Sequence, residues 1–130
     1  MTREKKPKID RRDWRNLPYS DWNTLTVHAY FADMNREMYG AEPYLPMRNW
    51  AVERGMIKRA LAEHGAELLK RAFDVIFREY RPTREYPILT AGFALSYRVN
   101  TVLPRVAAEA RRATVEDAEK PSVDEIRAWL

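Results

Sequence analysis

Apolar residues recur along most of this chain at spacings of three and four, the repeat that puts side chains on one face of an α-helix. From Trp22 to Tyr39, Val27, Phe31, Met34 and Met38 share a face. Ser20 is a suitable N-cap, Asp21 suits the positive helix end, and Gly40 stands where a left-handed glycine closes a helix. A second helix is predicted from about Arg48 to His64, with Trp50, Ile57, Leu61 and His64 on one face and Ala60 beside it. Gly55 in its middle costs about 1 kcal/mol relative to Ala, so a close helix crossing is expected there. After Gly65 the stripe Leu69, Phe73, Ile76 and Tyr80, flanked by Ala72 and Phe77, predicts a third helix. Lys70, Arg71, Asp74, Arg78 and Glu79 form its wet side.

Proline-containing segments separate these helices: Ala41 to Pro46, then Arg81 to Pro87. Thr90 can cap a helix over Ala91 to Asn100 that carries Phe93 and Tyr97 on one face. Pro104 predicts either a kink or the first turn of a new helix from about Thr101 to Arg112. The small and acidic residues Thr114 to Pro121 read as a linker. Ser122-Val123-Asp124-Glu125 matches a capping box and launches a short helix bearing Ile126, Trp129 and Leu130. No alternating strand pattern of useful length occurs; Tyr86 to Leu89 is the one short candidate, and it contains Pro87. The expected fold is all-α: a compact bundle of four to five helices (17–113), a flexible basic arm (1–16), an acidic linker (114–121) and a short amphipathic helix (122–130).

With 130 residues, 45% of them hydrophobic, and four Trp, seven Tyr and four Phe, one domain can bury a core without staples. The absence of cysteine removes disulfides, thiolate nucleophiles and Cys-ligated metal sites. No apolar run follows the charged N-terminus and none approaches the roughly 18 residues of a membrane span, so the expectation is a soluble, cytoplasmic protein without membrane contact. Arginine outnumbers lysine, 17 to six. The net charge of +4 sits in residues 1–16, where seven basic residues face three acidic ones, leaving 16 of each sign in the body. Such an arm is either a solubilising tail or a phosphate-binding element.

No catalytic signature stands out. Four widely spaced glycines cannot cradle a phosphate, and His28 and His64 belong to no metal-ligand spacing, so each reads as a structural histidine. Asp33 and Glu37, four apart with Arg36 between, read as a solvated face rather than an acid/base pair. Catalytic residues, metal sites and cofactors are therefore expected to be none. Two segments carry a binding reading. From Met56 to Arg71, two helices flank Gly65 with basic residues on both arms: either a DNA-reading helix-turn-helix or an ordinary helical hairpin. At the C-terminus, Ile126, Trp129 and Leu130 at helical spacing suit either docking into a partner's groove or folding back on the chain's own core.

The stretch from Trp22 to Tyr97 resembles a helical domain of phage replication proteins, of the helicase-loader and replication-initiator type. The residues that carry the resemblance are Tyr39-Gly40 with Pro43-Tyr44, Met56-Ile57-Lys58 with Leu61 and Gly65, Leu68, Leu69, Ala72 and Phe77, and Tyr86-Pro87-Ile88 with Phe93. No winged-helix pattern precedes Trp22, so origin recognition is not part of the expectation. The resemblance implies a domain that binds DNA or replication proteins and has no active site of its own. The expectation is thus a non-enzymatic replication accessory or adaptor. It would contact DNA weakly and electrostatically through Lys58, Arg59, Lys70, Arg71, Arg78, Arg81 and Arg84. It would contact a replication protein such as a helicase through Ile126, Trp129 and Leu130. A helix-turn-helix transcriptional regulator, or a small inhibitor acting through protein contacts, is the alternative.

Overall fold

A computed structural model describes residues 9–119, all of whose regular structure is helical. Helix α1 is Thr24–Tyr39, α2 is Trp50–His64 and α3 is Ala66–Glu79. A single turn, α4 (Ala91–Phe93), passes through a π turn (Ala94–Arg98) into α5 (Val99–Glu119). The all-α expectation holds, and no strand occurs among the described residues, so Tyr86 to Leu89 is a loop.

The helix starts differ from the expectation because asparagines cap them. Tyr19–Asp21 form only a 3-10 turn. Trp22 is then extended, which carries its ring into the core beside Tyr30. Asn23 caps α1: its side chain accepts from Thr26 N–H at 3.2 Å while Thr26 Oγ1 accepts from Asn23 N–H at 3.1 Å. Asn49 caps α2, accepting from Val52 N–H at 2.8 Å. Gly40 does close α1 in the left-handed conformation, with φ 65°. Thr90 caps α4 as expected.

The core is an aromatic stack between α1 and α3. Phe31 meets Phe73 edge-on at 4.8 Å and Phe77 at 5.1 Å, and Tyr30 lies 5.6 Å from Phe77. Burying each such ring contributes about 1.5–3 kcal/mol, and edge-to-face geometry suits the ring quadrupoles. Leu69, Ala72 and Ile76 of α3 are buried, as are Val99, Val102 and Val106 of α5. Asn35 ties the segment after α3 to α1: its side chain donates to Leu89 C=O and accepts from Leu89 N–H, both at 2.8 Å. Of the residues assigned to the inner face of α1, Met38 is exposed, and Tyr30 and Asn35 are buried instead.

The expectations for α2 and the C-terminal half need correction. Gly55 is exposed, and a Cβ there would meet nothing within 4 Å, so no close crossing explains it. Trp50 is 43% exposed, while Glu53 is buried beside Ile57 and Ala60. Pro104 does not open a second helix; it lies inside α5, which runs from Val99 to Glu119. Both Pro104 and Asn100, whose carbonyl loses its helical donor, are exposed, so water can replace that bond. The π turn sits earlier. Val99 N–H donates to Ala94 C=O, five residues back, so Ala94 and Val99 both face the core. Residues 114–119, expected as linker, continue the helix to Glu119; Ala, Val and Glu all tolerate helical dihedrals.

The described part of the basic arm is ordered. Trp14 is buried edge-on against Tyr30 at 5.0 Å and its Nε1 donates to Asp33 at 2.8 Å. Arg15 bridges to Glu37 at 2.5 Å, and Arg11 donates to the carbonyl of Asp21. The flexible-arm expectation therefore fails for residues 9–16, because an indole and two guanidiniums find partners on the body.

Candidate nucleic-acid interface

The seven cations singled out in the sequence fall into three settings. Lys70 and Arg71 on α3 are neutralised in place: Lys70 Nζ lies 2.8 Å from Asp74, and Arg71 lies 3.3 Å from Glu67. Lys70 also sits 5.7 Å from the Trp14 ring centroid, against the folded arm. Asp74 further accepts from Tyr30 O–H at 2.5 Å, which with burial holds that phenol protonated far above its usual range. Four residues apart on one helix, these opposite charges close onto each other, so the outer face of α3 presents little net charge.

The second setting is α2. Lys58 and Arg59 are exposed, as is Arg54 one turn before Lys58, and no carboxylate lies within 4.0 Å of any of them among the described residues. Glu63, which stands at pairing distance four residues after Arg59, lies 3.6 Å from His64 instead. Arg54 also borders a shallow concavity of about 460 Å³ with Arg12, His28 and Trp50.

The third setting follows α3. Arg78 is exposed in its last turn, where a cation suits the negative helix end. Arg81 and Arg84 are exposed in the next loop; none of the three has an ion-pair partner among the described residues. Arg81 lines a cleft of about 630 Å³ together with Met47, Tyr80, Tyr86, Pro87 and Phe93. Its walls are hydrogen-bonded: Tyr80 O–H donates to Tyr86 C=O at 2.8 Å, and Tyr86 N–H donates to Thr83 Oγ1 at 2.9 Å. Phe93 lies 6.0 Å from Tyr80 and 5.3 Å from Tyr97, and the Arg98 guanidinium stands 5.9 Å over Phe93. Burial raises the Tyr80 phenol and the charge of Arg98 opposes that rise.

Sequence reasoning missed this aromatic row. Phe93 and Tyr97 do share a face, 5.3 Å apart, but across the π turn that face runs out of the core and Tyr97 is 66% exposed. Tyr86, also 66% exposed, stood in the sequence as a loop residue and strand candidate, not as an exposed ring. A detectable signal existed: tyrosines at positions 80, 86 and 97 interleaved with arginines at 81, 84 and 98. The docking residues Ile126, Trp129 and Leu130 lie outside the described residues.

A second polar cluster joins four segments inside the fold. Glu53 Oε1 lies 3.0 Å from His28 Nε2 and accepts from Tyr44 O–H; Glu53 Oε2 accepts from Met47 N–H at 2.9 Å. Tyr44 in turn accepts from Ala91 N–H at 2.9 Å. Burial pushes the Glu53 carboxyl up, but the donors His28, Tyr44, Met47 and Gly92 outweigh it and hold the group below the usual carboxylate range. Every acceptor position of this carboxylate is turned toward a structural donor, so it acts as a fastener, and His28 has the structural role expected of it. His64 is half-buried and lies 3.6 Å from its neighbour Glu63. Asp33 and Glu37, expected as a solvated pair, receive the folded arm instead. No group of three His, Asp or Glu side chains suited to a metal ion occurs among the described residues. None of the described helices is long and apolar enough to cross a membrane.

No family model, curated protein or solved structure matches this chain.

Proposed function

We propose that the chain is a non-enzymatic accessory protein of DNA replication, of the phage type, that holds nucleic acid electrostatically while engaging a replication protein. One observation carries the nucleic-acid half: Lys58, Arg59, Arg78, Arg81 and Arg84 are exposed without ion-pair partners among the described residues. Unpaired cations are available to phosphates, and releasing condensed counterions then drives binding. Paired ones must first break an internal bridge, so Lys70 and Arg71 contribute less. The helix-turn-helix alternative has weaker support, because the outer face of α3 is occupied by its own Glu67–Arg71 and Asp74–Lys70 pairs. The protein-binding half rests on the spacing of Ile126, Trp129 and Leu130 and on the family resemblance.

Fluorescence anisotropy with labelled duplex and single-stranded oligonucleotides over a salt series tests the reading. Binding should weaken steeply with salt, and Lys58→Glu with Arg59→Glu should lower the slope of log K against log salt by about 2, near 0.9 for each lost phosphate contact. Lys70→Glu with Arg71→Glu should change it less. Absence of salt-dependent binding to any oligonucleotide overturns the nucleic-acid reading. Tagged protein carrying Trp129→Ala should fail to retain a helicase that the unaltered chain retains; equal retention by both removes the assigned partner contact.

A further inference from the structure

We propose that the cleft between the 81–87 loop and the α4–π turn is a stacking site for the bases of single-stranded nucleic acid. This rests on the reading that the chain binds nucleic acid, and it names the form of the ligand and the side chains that select it. Three independent features converge there. Tyr86 lines the cleft, and Tyr97 stands beside it, 5.3 Å from Phe93 of the cleft wall; both are 66% exposed, although tyrosine is on average intermediate in burial. Tyr86 is nevertheless held, because its backbone bonds to Tyr80 and Thr83 on both sides. An exposed ring on a backbone that is already held offers a face to a ligand at a lower entropy cost than one on a free loop.

The charges around the rings have one sign in excess. Arg81 lines the cleft, Arg84 lies in the same loop and Arg98 stands over Phe93; none has an ion-pair partner among the described residues, where Glu85 is the one acidic residue lining the cleft. Aromatic faces interleaved with free guanidiniums complement a polymer of alternating bases and phosphates. A duplex hides its base faces in its own stack, so it can use the guanidiniums but not the rings. Finally, the row depends on a π turn. Such turns are rare and recur at functional sites, and this one directs Tyr97 outward beside Phe93.

The experiment uses the full chain, a fluorescein-labelled oligothymidylate of about 16 nucleotides and a labelled duplex of equal length. Tyr86→Ala with Tyr97→Ala should weaken oligothymidylate binding at least about tenfold, in line with the loss of two stacked bases, and leave duplex binding unchanged. Tyr86→Phe with Tyr97→Phe should bind both probes as the original does, since the ring and not the hydroxyl is used. Circular dichroism melting should be the same for all three proteins. If losing both rings leaves oligothymidylate binding intact, the stacking site is overturned while the electrostatic reading stands. If neither probe binds the unaltered chain, both readings fall. A labelled proline-rich peptide that binds in a tyrosine-dependent manner, and that oligothymidylate cannot displace, also overturns the proposal and makes the cleft a peptide groove.

Discussion

Replacing Glu53 tests the central claim about how this fold is fastened. The carboxylate takes donors from α1 (His28), the 41–49 loop (Tyr44 and Met47) and the start of α4 (Gly92). In Glu53→Ala these donors stay buried with nothing to accept them. A bond to an ionised acceptor is worth about 1.5–3 kcal/mol, and relaxation and water entry recover part of the sum. The expected loss is about 3–5 kcal/mol, the range for breaking a buried charged cluster from one side. Glu53→Gln keeps the shape, but its amide nitrogen must face donors, so about 2 kcal/mol should be lost. Urea denaturation followed by circular dichroism measures both. The acid limb gives a second reading. The folded carboxyl lies below its ordinary value, so its contribution is complete above the usual glutamate range and is lost as pH falls through the folded-state value. Glu53→Gln should therefore flatten the fall of stability with acid. If both variants stay within about 0.5 kcal/mol of the original, or the acid slope is unchanged, the fastener is not what holds these segments.

The arm and two glycines give further tests. Trp14→Ala should cost about 3 kcal/mol in denaturant unfolding, the usual loss for a buried Trp; a change under about 0.5 kcal/mol would mean that the arm does not pack. Gly55→Ala should raise stability by about 0.5–1 kcal/mol, because its Cβ enters open space in a helix interior. Gly92→Ala should lower it by about 1–3 kcal/mol, because its Cβ would stand 3.1 Å from Glu53 Oε2 and 3.2 Å from Met47. Equal melting temperatures for the two glycine variants would refute both placements.

The helices were legible where the buried face follows a single period. Leu69, Phe73 and Ile76 obey a single period and are buried as expected. Legibility fails where a polar group buys burial through partners far away in sequence. Glu53 breaks the apolar stripe of α2, and its donors come from positions 28, 44, 47 and 92, which spacing cannot reveal. Trp14 lies in a charged context and reads as arm, yet Tyr30 and Asp33 across 16 to 19 residues give it a seat. Of the candidate interface, the cations were visible as residues, and part of their pairing follows from helical spacing: Asp74 stands four residues after Lys70 and bridges to it, whereas no acidic residue stands three or four residues from Lys58. That Glu63, four residues after Arg59, lies against His64 instead was not visible.

The π turn also makes the number of residues between Ala94 and Val99 a counted quantity. With one residue fewer, a regular α-helix would run through, and Ala94 and Val99 could keep their relative facing only by four-residue spacing. The deletion must then be absorbed somewhere: the regular helix loses the outward phase of Tyr97, while any deletion that preserves that phase rotates Val99, Val102 and Val106 off α3. Insertions and deletions should therefore be excluded from 94–98 and be tolerated in the irregular segment 41–49, so long as Tyr44 and Met47 still reach Glu53. Length, rather than residue identity, is what the packing of α5 requires at that point in the chain.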